Sequence, residues 1–418
     1  MEYKISIEGD YWDSFIYRGR LYLWTMNCSL ICIDWEKLIR FYSKKMKYDL
    51  FSSYLTWIDG NYLYKQNLNY LFQDSDFKQY LINKLNKNKK DIILATKDLA
   101  PFLIYERDCP QKNLPVDIEV YKNHLYSALS DGLYLTNLYT KNKVISSRNI
   151  KIWDCKLFNI RADFYSRLAL SAGEDGLFEL ELKDNTFHSE DELAQGYEKN
   201  IYSVDSNFSN YANYSNISIV NCNYQKNSRL ILYKWYESED YDSSKSSTSR
   251  SRHVGHRYIR RKDDIILLEE FNNKNENVIV GNLEDRIYII SSNTIKTLVF
   301  SESRIRVLSE ISLNYGEPEV CFNAFFGVII VYQQKVVILR SDGNITELNG
   351  EYSRCRVFPR SINYLNHLHC IKDNCLEIYS LMHDYFVNNN AKNYGSFYDS
   401  SKFKSHSSSK FFDEFMKL

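Results

Sequence analysis

Short runs in which apolar residues alternate with polar ones recur along most of the chain, separated by turn residues. Two of them nearly repeat each other. His124–Leu138 reads HLYSALSDGLYLTNL, and Arg167–Leu182 reads RLALSAGEDGLFELEL. Each holds two β-rich runs around an Asp-Gly pair, Asp131-Gly132 and Asp175-Gly176, 44 residues apart. Asp-Gly between such runs predicts a tight hairpin, because Gly takes the positive φ that the turn requires. A third copy spans RGRLYLWTMNCSLICID, with its turn at Cys28-Ser29. Weaker copies turn at Glu284-Asp285, Gln333-Gln334, Asp342-Gly343 and Asp373-Asn374. Upstream of several copies stands an Asp, in Trp12-Asp13, Val116-Asp117, Trp153-Asp154 and Val204-Asp205.

Turn-to-turn spacings of about 39 to 57 residues match the period of propeller blades. An antiparallel meander alone leaves one apolar face in water. Stacking such meanders around an axis buries both faces, and closing the ring leaves short, protected edges. The expected fold is therefore all-β: a single β-propeller over residues 1–387, of about seven four-stranded blades, with six or eight as alternatives. Pairing of the first and last blades should close the ring, with YKISI at Tyr3–Ile7 as the closing strand. The chain resembles β-propeller proteins, loosely of the WD-repeat or Kelch kind, over about residues 5 to 385. WD repeats end a strand with Trp-Asp, whereas Trp12-Asp13 and Trp153-Asp154 begin units here, and the Kelch double glycines are absent.

Four departures from the repeat stand out. WEKLIRFYSKKM, Trp35 to Met46, has apolar residues at helical spacing, and Asp34 is its expected N-cap. Within a second insertion at about 65–90, SDFKQYLINKLNKNK carries Phe77, Leu81 and Leu85 on one helical stripe. That stripe either packs on the propeller flank or docks a partner through Phe77 and Leu81. An irregular blade holding FSSYLTWIDGNYLY and DIILATKDLAPFLIYE is expected around it. Residues 243–262 hold seven basic residues and no acid: Lys245, Arg250, Arg252, Arg257, Arg260, Arg261 and Lys262. This segment reads as a polar loop. Its guanidinium groups suit phosphate or carboxylate, which admits nucleic-acid contact. Residues 388–418 are Asn- and Ser-rich and finish in a short apolar segment with Phe411, Phe412 and Phe415, expected to fold back on the propeller or to dock on another protein.

Composition narrows the function less than the pattern narrows the fold. There are 53 basic and 53 acidic residues, which argues against a surface that clings to nucleic acid or anionic lipid as a whole. No apolar run approaches a membrane span, no signal peptide is visible, and nine scattered cysteines suit reduced thiols; the expectation is a cytoplasmic protein with no membrane partner. P-loop, dinucleotide-fold, nucleophile-elbow and zincin motifs are absent, so no catalytic residue and no cofactor is assigned. His367, His369, Cys370 and Cys375 are weak metal candidates: the two histidines share a strand face that Cys370 does not, and no metal site is assigned. The recurring Asp set (13, 117, 154 and 205) reads as turn-ordering carboxylates, or as a convergent acid/base pair in the channel of a hydrolase. The leading expectation is a non-enzymatic scaffold or recognition subunit that binds other protein subunits. By fold-level analogy it would belong to a multi-subunit bacterial assembly of the defence type. Nucleic-acid contact through the basic loop is the alternative, and a channel hydrolase the second.

Overall fold

In the computed structural model, the described residues are 3–60, 74–87, 91–121, 123–138, 149–162, 167–181, 199–202, 205–214, 217–224, 227–237, 258–267, 279–283, 286–301, 304–340, 344–361 and 363–381. They form the blades of a β-propeller. Six sheets have four strands each, and a further one has five. The first sheet is β2 (Tyr11–Tyr17), β3 (Arg20–Thr25), β4 (Ser29–Asp34) and β6 (Leu103–Asp108). The second runs β7 (Asp117–Tyr121), β8 (His124–Leu129), β9 (Gly132–Asn137) and β10 (Asn149–Trp153). The third runs β11 (Asn159–Ala162), β12 (Arg167–Ser171), β13 (Leu177–Glu181) and β14 (Lys199–Tyr202). The fourth holds β15 (Phe208–Tyr214), β16 (Ile217–Tyr224), β17 (Asn227–Glu237) and β18 (Tyr258–Leu267). The fifth holds β19 (Ile279–Leu283), β20 (Arg286–Ile290), β21 (Thr294–Ser301) and β22 (Arg304–Ser312). The sixth holds β23 (Pro318–Ala324), β24 (Gly327–Tyr332), β25 (Lys335–Leu339) and β26 (Ile345–Asn349).

The remaining sheet closes the ring. Its order is β27 (Arg354–Val357), β28 (His367–Lys372), β29 (Cys375–Ser380), β1 (Tyr3–Glu8) and β5 (Ile92–Leu94). β1 pairs antiparallel with β29, Ile5 opposite Ile378 and Ile7 opposite Leu376. The expected closing strand is thus the closing strand. Its fifth strand, β5, lies parallel to β1 and comes from the insertion. First strands of successive blades touch one another, β7 with β11, β11 with β15, β19 with β23 and β23 with β27, so these strands line the axis. The blade stack buries runs such as Gly327–Tyr332, all six positions of β24 being buried.

The two near-identical stretches are the middle hairpins of neighbouring blades. One glycine serves a different purpose from the expected one. Gly132 has φ +159°, nearly extended, and pairs with Leu129, leaving Ser130-Asp131 as the two-residue turn. A Cβ there would stand 2.3 Å from the Trp153 carbonyl oxygen, so close approach of β10 demands the glycine. At Gly176 the expected reason holds, with φ +112°. The turns at Gln333-Gln334 and Asp373-Asn374 join paired strands as expected; residues 284–285 and 342–343 lie outside the described residues.

The insertion departs from expectation. The described residues of 50–108 form no additional irregular blade. α1 (Trp35–Lys45) follows β4 directly, capped by Asp34, whose side chain accepts the Lys37 N–H. Its buried stripe is the one read from the spacing: Trp35, Leu38, Ile39 and Tyr42. FSSYLTW, read as strand, is helix α2 (Leu50–Trp57), started by Asp49, which accepts from both Ser52 N and Ser52 Oγ. α3 (Ser75–Lys87) packs on α2. After β5, a 3₁₀ turn at Thr96–Phe102 leads into β6, which completes the first blade as its outer strand. The whole insertion therefore hangs between the third and fourth strands of one blade.

Candidate functional site

The axis-lining strands carry a belt of side-chain acceptors. Asp13 on β2 is fully buried, and its Oδ1 accepts the Ser14 N–H at 2.8 Å. Asp117 on β7 accepts its own neighbour, Ile118 N, at 2.9 Å, and through Oδ2 accepts Ile160 N of the next blade at 3.0 Å. Asn159 on β11 donates from Nδ2 to Asp117 Oδ2 at 2.6 Å and accepts Ser209 N of β15 at 3.1 Å. Asp117 and Asn159 thus each satisfy a backbone donor on the following blade, which fixes the register between those blades. Glu119 repeats the pattern one step along: its Oε2 accepts Ala162 N at 3.4 Å.

Three arginines lock this belt. Arg356 on β27 donates from Nε to Asp13 Oδ1 at 3.0 Å and from Nη2 to Asp13 Oδ2 at 2.6 Å. The same Nη2 reaches Asp117 Oδ1 at 2.9 Å, and Nη1 donates to the Ile118 carbonyl at 2.7 Å. Arg354 joins Asp13 Oδ2 to the Val116 carbonyl and lies 4.8 Å from the centre of the Trp12 ring. Arg161 bonds Asp117 Oδ2 at 2.8 Å, its guanidinium 5.5 Å from the ring centres of both Phe208 and Phe322. Burial alone would raise the Asp117 carboxyl; Arg161, then Arg356 and Arg354, more than offset it and hold it below the usual range. Burial likewise opposes charge on Arg356, and Asp13 and Asp117 overcome it, raising that group further.

These contacts decide the fate of the Asp set. Asp13 and Asp117 converge at the axis, where their oxygens accept from guanidinium, amide and backbone donors. Asp154 does not join them: it is exposed and salt-bridged to Lys151 at 2.6 Å. Asp205 is exposed as well. Both precede their axial strands by several residues; in the first of those blades the belt position is filled by Asn159, which accepts the Ser209 N–H of the next.

The histidines lie deeper. His367 is fully buried among Trp57, Trp35 and Tyr364, with ring centres 5.8, 6.2 and 5.3 Å away. His369 stands 6.0 Å from it, its Nδ1 2.9 Å from Ser14 Oγ. Cys370 points to the opposite face, its Sγ 3.6 Å from that of Cys355, and Cys375 begins β29 across the turn. The four residues do not converge, and among the described residues no group of three or more metal-binding side chains is assembled. Burial pushes His367 down to about 3, and burial, then His367 and Arg356, hold His369 well below its ordinary value.

Both imidazoles are therefore neutral when folded and protonate near 6.5 when unfolded. Folding loses stability as pH falls from about 6.5 towards 3, because only the unfolded chain takes up these protons. Each histidine adds a slope of about 1.4 kcal/mol per pH unit in that window. His367→Phe, which suits the aromatic surroundings, is expected to flatten the stability–pH profile by about that slope between pH 6 and 4. Urea titrations at four pH values check this; an unchanged slope refutes it.

The other candidate residues separate. Leu81 is fully buried and Phe77 packs half-buried against the same core, so the stripe on α3 is a packing face. Tyr80 is the ring that α3 leaves half exposed. Arg260, Arg261 and Lys262 lie in β18, their backbone opposite Trp235, Lys234 and Tyr233, rather than in a loop. Arg250, Arg252 and Arg257 lie outside the described residues, as do Phe411, Phe412 and Phe415.

Sequence reading passed over the surface that the fold displays most openly. At the corner joining α1 to α2, Phe41 and Leu50 are about half exposed (50% and 51%), with Met46 and Phe51 beside them at 38% each. Four basic residues of the same stretch, Arg40, Lys44, Lys45 and Lys47, are exposed as well, Arg40 being paired with Glu36 at 3.6 Å. The acid within this stretch, Asp49, is spent capping α2. Phe41 leans on Phe102, ring centres 5.4 Å apart, which ties the corner to the blade. The signal was present in FYSKKMKYDLF, where apolar residues off the buried stripe alternate with lysines.

No helix among the described residues is long and apolar enough to cross a membrane. No protein-family model and no curated protein matches the sequence. Among solved structures, the chain is similar to BBS1N, crystallised in complex with ARL6DN, at 10% identity over 90% of this chain and 92% of that one, with a TM-score of 0.45. It is similar to the N-terminal domain of Nup159 at 8% identity, over 89% of this chain and 90% of that one, TM-score 0.44. Likeness to the CNH domain of AfRom2 is 12% identity over 64% of this chain and 94% of that one, TM-score 0.34. The topology of its own sheets makes the chain a β-propeller.

Proposed function

We propose that this propeller is a protein-recognition module, a subunit of a larger assembly, and that it binds its partner at the α1–α2 corner. The observation that carries the reading is the exposure of Phe41, Met46, Leu50 and Phe51 in one stretch with the exposed basic residues Arg40, Lys44, Lys45 and Lys47. Aromatic and aliphatic anchors ringed by charge form the usual plan of a protein contact. The surface fits a partner segment that sets acidic residues beside apolar ones. The commitment of Asp13 and Asp117 to arginine and backbone supports a structural rather than a chemical use of the axis. The described cysteines, all free thiols, support a reducing compartment.

The test is a quantitative pull-down from the source organism with the wild-type chain and with Phe41→Ser/Leu50→Ser. Because Phe41 also packs on Phe102, the unfolding midpoint of the variant is measured beside the pull-down, and the two proteins are compared at a temperature where both are folded. Loss of one aromatic anchor costs about 2 kcal/mol, so retention of any direct partner is expected to fall about thirtyfold. Partners retained equally by both proteins would remove the corner as the contact face.

A further inference from the structure

The α1–α2 corner has a candidate occupant within the same chain. We infer that residues 409–418, SKFFDEFMKL, dock on the corner formed by Phe41, Met46, Leu50 and Phe51. This rests on the reading of that corner as a docking face. The segment itself lies outside the described residues.

Three observations favour it over other occupants. The first is where the chain leaves the propeller. Leu381, the last described residue, donates its N–H to the Asn366 carbonyl at 2.9 Å. Asn366 Nδ2 and Ser380 Oγ both donate to the Thr56 carbonyl, at 3.0 and 2.7 Å. The exit is therefore tied to the last turn of α2. Along the axis of α2, Thr56 stands about 9 Å from Leu50, at ~1.5 Å per residue. The 27 residues from 382 to 408 reach up to about 90 Å when extended, so the connection is never limiting.

The second observation is complementarity. The corner sets apolar side chains among Arg40, Lys44, Lys45 and Lys47. The segment sets Asp413 and Glu414 at its centre between two apolar pairs, Phe411-Phe412 and Phe415-Met416, with its two lysines, Lys410 and Lys417, outside them. Acid flanked by apolar residues is the inverse of base flanking apolar residues, and both the hydrophobic and the ionic contributions favour the pairing. The third is effective concentration. A segment tethered this near its site faces it at about millimolar concentration, so modest intrinsic affinity keeps the site filled. An external partner then has to displace the segment, which makes 409–418 a built-in competitor for the docking face.

The experiment uses the full chain with Phe41 replaced by p-benzoylphenylalanine, and a second protein with the same replacement at Leu50. Irradiation followed by peptide mass spectrometry is expected to link either position mainly to residues 405–418. A mixture of light and heavy isotopic forms should give links within one chain. Phe411→Ser/Phe412→Ser/Phe415→Ser is expected to lower the yield at least tenfold. Lys44→Glu/Lys45→Glu should lower it about fivefold, and adding Asp413→Lys/Glu414→Lys should restore it. Links to other parts of the chain, links formed between copies, or a yield indifferent to the phenylalanine variant would each overturn the inference. None of those results touches the pull-down with Phe41→Ser/Leu50→Ser, which decides the docking face independently.

Discussion

Arg356→Ala is expected to destabilise the protein by about 3–5 kcal/mol, the cost of leaving buried charge without its partner. The guanidinium holds Asp13 by two bonds and Asp117 by a third, and Asp13 is fully buried. In the variant, Asp13 keeps Arg354 at the edge of the cluster, and Asp117 keeps Arg161. Neither substitute reaches both carboxylates, and the Ile118 carbonyl loses its donor. A loss of that size is a large share of the 5–15 kcal/mol that typically separates folded from unfolded domains. Arg356→Lys retains charge but not the planar fork, so it should cost less, about 1–3 kcal/mol. Adding Asp13→Asn to Arg356→Ala should recover part of the loss, because it removes the stranded charge. Equilibrium urea unfolding at pH 7 measures all three. If Arg356→Ala falls within 1 kcal/mol of the parent, the arginine is not the lock described above.

The partners of Arg356 explain why the belt was hard to read beforehand. Asp13 and Asp117 lie 343 and 239 residues from it in the chain. Spacing within one repeat carries no trace of a contact made by ring closure. The recurrence of Asp was legible at two blades and misleading at two others. What recurs is an acceptor for the next blade's backbone, and Asn159 meets that need as Asp117 does. Local signals fared better. The stripe of α1 and its Asp34 cap, the middle hairpins and the closing strand all follow from periodicity and turn chemistry within a dozen residues. α2 escaped because FSSYLTW is short and rich in aromatic and β-branched residues, and its cap, Asp49 with Ser52, was the decisive mark. The docking corner escaped for a related reason. Until α2 is known to be a helix, nothing brings Leu50 and Phe51 beside Phe41.

Weakening the closing strand should have the largest effect of all. Ile5 and Ile7 of β1 are fully buried, lying opposite Ile378 and Leu376 of β29. Truncation of one buried isoleucine to alanine costs about 2–5 kcal/mol, so Ile5→Ala/Ile7→Ala is expected to cost about 4–10 kcal/mol if the two losses add. The consequence exceeds a local cavity because β1 belongs to a blade whose other main strands come from residues 354–380. Its attachment joins the two ends of the described chain, and β5, which brings the insertion home, pairs with β1 itself. A ring that cannot close exposes edges on the first and last blades, and exposed edges recruit other chains. The double variant is therefore expected to unfold at much lower urea and to aggregate on heating. Lys4→Ala is the control. Lys4 precedes them on the partly exposed face of β1, bridging Asp91 at 3.1 Å and Glu377 at 3.6 Å, and its loss should cost about 1 kcal/mol or less. Circular dichroism melts with light scattering follow both outcomes. A double variant as stable as Lys4→Ala would mean that the blades hold together without the closing strand, and that the ring is not the unit of stability.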